Sequence, residues 1–267
     1  MGKILAFCHV VKAGGTTVES GLRKAYGIRH LDVYPKTGVG EYKLAEMSRD
    51  LKFMPWVRSM SGHGLRPYIN YGEFDQRLVW VIWLREPVAR LISGYQHSCM
   101  RNGYSESFDK FLRDIRRKNR QVYFLSGSPE DLAGAKKVLR EKVKVVGLLE
   151  RFDESLSLLK SVIPDKSSAL SYVRPKNVAS SSEIANRIYE KIDDYSDLLS
   201  QAAGLDIELY NWVKESIYDV QLDLLKKDQS CSNGGSSTSI EKRIPSINVP
   251  LNRLIYRGFY RPLLSRI

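Results

Sequence analysis

Residues 3–17 run Lys-Ile-Leu-Ala-Phe-Cys-His-Val-Val-Lys-Ala-Gly-Gly-Thr-Thr, an apolar stretch that stops at two glycines and restarts with two hydroxyl residues. A strand that turns on glycine directly into a helix gathers unpaired main-chain N–H groups around one point, and such a point holds an anion. Gly14 and Gly15 let the main chain approach it, Thr16 and Thr17 supply donors at the helix start, and Lys12 adds a positive charge. A unit of this kind constrains the fold strongly, because a strand–loop–helix that offers its ligand site at the strand's carboxyl end belongs in an α/β sandwich. The lysine narrows the ligand. ATP-binding loops of the pattern Gly-x-x-x-x-Gly-Lys-Ser/Thr place lysine after the glycines, whereas Lys12 precedes Gly14 and Gly15. The spacing therefore predicts a phosphorylated ligand other than ordinary ATP.

A second signal lies farther along. Arg77 to Trp83 reads as a buried strand that runs into Leu84-Arg85-Glu86-Pro87-Val88-Ala89-Arg90-Leu91-Ile92-Ser93-Gly94-Tyr95, with Pro87 marking a helix start. Kinases and ATPases often end the equivalent strand in an aspartate that holds magnesium. Here the strand ends in Arg85, a cation suited to a second phosphate and not to a metal. Each feature has a plainer reading: a simple glycine turn with an exposed lysine, and a strand-end arginine paired with Glu86 or another acid. Their joint occurrence favours the nucleotide.

Together the segments resemble the two donor-binding motifs of sulfotransferases that use 3′-phosphoadenosine-5′-phosphosulfate (PAPS). They are most similar to those of the heparan sulfate 2-O- and 6-O-sulfotransferases and their bacterial relatives, which carry His-x-Pro-Lys-Thr-x-Gly-Thr-Ser/Thr and then Leu-Arg-Asp/Glu-Pro-x-x-Arg-x-x-Ser-x-Tyr. His9, Lys12, Gly15, Thr16 and Thr17 match the first, with Val11 and Ala13 departing from it; Leu84, Arg85, Pro87, Arg90, Ser93 and Tyr95 match the second. Weaker likenesses follow in the family's order: Gly62-His63-Gly64, Val146 to Phe152, Arg174-Pro175-Lys176-Asn177, and Leu205 to Tyr210. The resemblance implies a P-loop-like three-layer α/β sandwich with a central, mainly parallel sheet flanked by helices. It implies sulfuryl transfer from PAPS to a carbohydrate hydroxyl, without a metal. His63 is then the general base, and Lys12 stabilises the departing phosphate oxygen. Gly14, Gly15, Thr16 and Thr17 cradle the 5′ end, Arg85 and Ser93 hold the 3′-phosphate, and Arg174 and Lys176 are further nucleotide contacts or solvated loop cations. His97, in the helix after the second motif, is the competing base. His9 orients the loop.

The chain has 267 residues, 43% of them hydrophobic, enough for a substantial core. Lys and Arg outnumber Asp and Glu by 42 to 30, for a net charge of +12, which suits anionic ligands. The same charge motivates a nucleic-acid-binding alternative, against which stands the lack of any recognisable binding module, so no nucleic acid is expected as partner. A P-loop-like kinase or nucleotide hydrolase is the other alternative. Cys8, Cys99 and Cys231 lack the spacing of a disulfide framework or zinc site, and no apolar run has transmembrane length. A cytoplasmic, bacterial protein is the expectation, or else the trimmed catalytic part of a membrane-anchored one.

Helices are predicted over 16–26, 41–52, 87–102, 107–118, 152–161, 182–192 and 206–226, with a short strand over 143–148 and irregular chain over 53–72 around His63. The catalytic domain spans 1–227. Asp228–Ser239 is polar and Ser/Gly-rich, a predicted flexible linker. The tail, 240–267, combines Arg253, Arg257 and Arg261 with Leu254, Ile255 and Phe259. Two readings stay open for it: peripheral contact with an anionic inner-membrane surface, which would bring the enzyme to a glycolipid acceptor, and docking on the catalytic domain.

Overall fold

The computed structural model describes residues 2–34, 40–163, 170 and 183–232. Five parallel strands, β1 (Ile4–Cys8), β2 (His30–Asp32), β3 (Ser59–Gly62), β4 (Leu78–Leu84) and β5 (Val143–Leu148), stand in the order β2-β3-β1-β4-β5. Every residue of β1 is buried, as expected of a central strand covered on both faces. Its neighbours are set in register by pairs such as Cys8 with Gly62 of β3 and Cys8 with Ile82 of β4. The chain leaves β1 toward one edge and later crosses to the other. Ligands in open parallel sheets bind beyond the carboxyl ends at such a reversal. The expected architecture is observed, a central parallel sheet flanked by helices.

Helix α1 (Gly15–Tyr26) follows β1 directly and stops at Gly27, which adopts φ 55°. Beyond α2 (Leu44–Phe53) and β4 comes α3 (Pro87–Asn102), with the boundaries that the sequence predicts. Its start is defined twice: Pro87 occupies the first turn, and the Glu86 carboxylate accepts from the N–H groups of Val88 and Ala89 at 3.0 and 2.6 Å. Then follow α4 (Phe108–Arg113), α5 (Arg120–Ser126), α6 (Leu132–Glu141), α7 (Phe152–Ser161), α8 (Glu183–Tyr189), α9 (Ser196–Val213) and α10 (Asp219–Ser232). The main core sits around the sheet. A second apolar cluster joins α3, α4, α8 and α9 through Leu91, Phe111, Ile188 and Leu199.

Several elements depart from the sequence reading. The stretch 53–72 contains β3, whose Ser-Met-Ser-Gly sequence carries no apolar alternation. Its two serines are buried because each bonds the His30 ring, Ser59 Oγ at 3.0 Å from Nδ1 and Ser61 Oγ at 3.1 Å from Nε2. The helix expected through Lys118 ends at Arg113, since the extended Asp114 turns its carboxylate onto the Arg116 N–H at 3.0 Å and starts a new turn. The helix expected over 206–226 is α9, a π-helical turn at Lys214–Tyr218 and α10. α10 runs through Ser232, into the segment expected to be linker. Extending a formed helix is far easier than starting one, so it continues past Leu222 and Leu225, which pack on the core. The rest of the linker, the basic tail, Arg174 and Lys176 lie outside the described residues. Among those described, no helix is long and apolar enough to cross a membrane.

Candidate active site

A cleft of about 890 Å³ opens beyond the carboxyl ends of β1, β3 and β4. The first motif forms one wall. Gly14, at φ 80°, is the residue before α1; a Cβ there would lie 2.5 Å from a Leu149 methyl group. At Gly15 a Cβ would lie 2.0 Å from the His9 ring, so the imidazole occupies the space that glycine leaves. Thr16 projects into the cleft and Thr17 is buried, with its N–H on the Gly14 carbonyl at 3.1 Å. Lys12 takes the left-handed conformation at φ 64°, which non-glycine residues rarely adopt. Ala13, where the resemblance expects a hydroxyl, is fully buried.

The second motif is braced onto the first. Arg85 Nη1 donates to the Lys12 carbonyl at 3.2 Å. Its own main chain is held by Gln121, whose side chain accepts from the Arg85 N–H and donates to its carbonyl, both at 2.9 Å. The plainer reading of Arg85, an ion pair with Glu86, is not what forms, because the Glu86 carboxylate caps α3. Burial, then the charges of Arg85 and Arg101, push Lys12 below the ordinary lysine value; burial likewise lowers Arg85. Among the described residues neither Lys12 nor Arg85 has an ion-pair partner. Glu150 and Glu86 only partly offset the burial of Arg85, and two cations crowded into a half-buried space without a salt bridge are relieved by an anion. Ser93, two turns into α3, lines the same cleft, and His97 lies one turn farther on.

Arg90 of the second motif does something else. It is buried, with Nη2 3.4 Å from Asp206 Oδ2, and Asp206 also accepts from the N–H groups of Gln121 and Val122, each at 2.9 Å. Burial pushes Asp206 up and Arg90 down; their attraction and the main-chain bonds to Asp206 oppose this. Glu150 accepts from the Glu86 N–H at 2.9 Å and from the Tyr210 hydroxyl at 2.7 Å. The weak likenesses around Glu150 and Asp206–Tyr210 thus brace the arginine loop from behind.

His63 follows β3 and is exposed to the cleft. Its Nδ1 lies 2.7 Å from the His9 carbonyl, and the two imidazoles pack at a 36° tilt with centroids 4.0 Å apart. A carbonyl only accepts, so Nδ1 carries the hydrogen and the neutral ring keeps Nε2 as proton acceptor. Crowding by protein at the cleft floor, and then the His9 imidazole, lower the His63 pKa from 6.5 toward about 4. His97 is exposed on α3; partial burial, Lys12 and Arg101 lower it too. The described part of the predicted set, both histidines included, therefore converges on one cleft. Among the described residues no group of three or more His, Cys, Asp or Glu side chains could hold a metal ion.

The chain matches the sulfotransferase family over residues 3–162. It belongs to that family. The matched span contains both motifs, His63 and all five strands, and it favours sulfuryl transfer over the kinase and hydrolase alternatives. Among solved structures, the sulfotransferase is similar to the crystal structure of a sulfotransferase from Alicyclobacillus acidocaldarius, at 16% identity and a TM-score of 0.35, over 75% of this chain and 95% of that one. No curated protein matches. Three functional supports of this sulfotransferase escape sequence reasoning: Glu19 behind His9, Gln121 behind Arg85, and Arg120, which lines the cleft from the start of α5. The run Arg116-Arg117-Lys118-Asn119-Arg120 is the one signal that marks this last wall as cationic.

Proposed function

We propose that this sulfotransferase transfers a sulfuryl group from PAPS to a carbohydrate hydroxyl, with His63 as general base. The observation that carries the reading is the pair Lys12 and Arg85, two half-buried cations that form no salt bridge among the described residues and are joined by the Arg85 bond to the Lys12 carbonyl. The donor supplies an activated sulfuryl group on a phosphate that leaves readily. Lys12, Gly14, Gly15, Thr16 and Thr17 would hold its 5′ end, and Arg85 and Ser93 its 3′-phosphate, with Arg174 and Lys176 as added contacts. His63 Nε2 takes the acceptor's hydroxyl proton while Nδ1–H stays on the His9 carbonyl. The sulfur–oxygen bond to the acceptor forms as the one to phosphate breaks, and Lys12 neutralises the oxygen that leaves. Carbohydrate is the acceptor class because the motifs are similar to those of glycan-modifying enzymes.

Lys12→Ala is expected to lower turnover more than affinity for adenosine 3′,5′-bisphosphate, since its charge is needed most as the leaving oxygen becomes anionic. Turnover read as bisphosphate released from PAPS, beside a calorimetric titration, separates the two; unchanged turnover removes Lys12 from this role. Mass spectrometry of glycans from cells carrying active or Lys12→Ala enzyme tests the acceptor. A sulfate-sized difference confined to active cells is expected, and its absence from every glycan fraction argues against carbohydrate.

A further inference from the structure

Glu19 lies one turn into α1 and is only 8% exposed. A carboxylate rarely sits there unless it is fully paired, and this one is. Oε1 is 2.9 Å from His9 Nδ1 and Oε2 is 3.2 Å from Arg23 Nη2, while Arg23 also binds Asp32 at 2.7 Å. Burial alone would raise Glu19; the hydrogen bond from His9, with the charges of His9 and Arg23, brings it well below the usual carboxylate range. An ionised carboxylate can only accept, so His9 Nδ1 must carry a hydrogen. That fixes the ring, and two contacts depend on it: the ring fills the space above Gly15 and packs at a tilt against His63, centroids 4.0 Å apart.

We infer that Glu19 is a positioning residue for proton transfer: through the His9 ring it sets the seat of the His63 ring, while the His9 carbonyl fixes the His63 tautomer and leaves Nε2 as the acceptor facing the cleft. The arrangement also ties the two halves of the reaction together, since Glu19 sits one helical turn from Gly15, at the start of the helix that would hold the donor's phosphate. Three charged or titratable groups act on His63 from the elements around it. His9 at the end of β1 and Arg66 in the loop after β3 disfavour its cationic form, and Glu19 on α1 favours it. Glu19 thus opposes its neighbours and stabilises the imidazolium formed as the proton arrives. The inference rests on His63 as base, but its test does not require catalysis.

With four histidines in the chain, imidazole nitrogen–proton correlation spectra can be assigned by single substitutions. In the unaltered protein His9 and His63 are expected as Nδ1–H tautomers. Glu19→Ala should free the His9 tautomer, shift the His63 ring signals that report its packing on His9, and lower turnover about tenfold or more, the scale typical when a supporting hydrogen-bond partner of a functional histidine is lost. Bisphosphate affinity should stay within about twofold in that variant. Glu19→Gln keeps an acceptor oxygen and should restore the His9 tautomer. An Nε2–H tautomer at His63 in the unaltered protein overturns the inference even if neither variant folds. A folded Glu19→Ala protein with unchanged His63 signals and turnover overturns it as well. Failure of the base assignment would look different: His63→Ala would keep full turnover while the spectra of the unaltered protein stayed as expected.

Discussion

His63→Ala is expected to lower turnover by roughly 100-fold or more, the customary contribution of a positioned general base, and to leave affinity for adenosine 3′,5′-bisphosphate nearly intact. The two effects separate because His63 stands at the end of β3, apart from the loop and arginine that would hold the nucleotide. The pH dependence follows from the depressed pKa. A base works in its neutral form, and crowding at the cleft floor together with His9 keeps His63 neutral far below pH 6.5. Turnover should therefore stay level from pH 8 to about 6 and fall only on further acidification; a free histidine would already be losing activity at about 6.5. His97→Ala is the control. His97 shares the cleft and has a lowered pKa, but among the described residues no main-chain carbonyl holds its ring as the His9 carbonyl holds that of His63. Its loss should cost severalfold at most. If the two variants exchange effects, His97 is the base and the contact with the His9 carbonyl serves only structure.

Arg85→Ala should remove most of the protein's preference for a 3′-phosphate. A charge-assisted hydrogen bond contributes about 1.5–3 kcal/mol, so losing the guanidinium should weaken bisphosphate binding by roughly 10- to 100-fold and leave 5′-monophosphate binding close to its starting value. Part of the effect runs through the loop, because Arg85 Nη1 also holds the Lys12 carbonyl while Lys12 sits at φ 64°. Arg85→Lys keeps the charge and loses the planar fork, so it should recover some bisphosphate affinity without restoring the unaltered protein's selectivity. Calorimetric titration of both nucleotides into each variant reads this. Parallel losses for the two nucleotides would mean that Arg85 supports the loop and does not read the 3′-phosphate.

The parts of the site legible in the sequence are those whose chemistry is local. Gly14, Gly15 and Thr16 mark the strand–loop–helix turn because a left-handed residue and a helix start must be adjacent in the chain, and Pro87 fixes the start of α3 for the same reason. What escaped is set by contacts distant in sequence. β3 is built of Ser59 and Ser61, whose burial makes sense only once the His30 ring lies between them and Asp32. Glu19 looks like an ordinary helix residue until the fold brings His9 within 2.9 Å. Gln121 and Asp206 carry no motif, yet one clamps Arg85 and the other meets Arg90 across 116 positions. The weak likeness at Leu205–Tyr210 marked the right segment without its reason, because a buried counter-ion has no signature without its partner.

On the proposed function, the crowded Lys12–Arg85 pair selects a 3′-phosphorylated adenine nucleotide. Calorimetry on the unaltered protein without magnesium tests it most directly, comparing adenosine 3′,5′-bisphosphate, adenosine 5′-monophosphate and ATP. Binding of the bisphosphate tighter than the monophosphate by roughly 100-fold, with no gain when magnesium is added, is the predicted result. Equal affinity for the two, or tightest binding of ATP and only with magnesium, would contradict it.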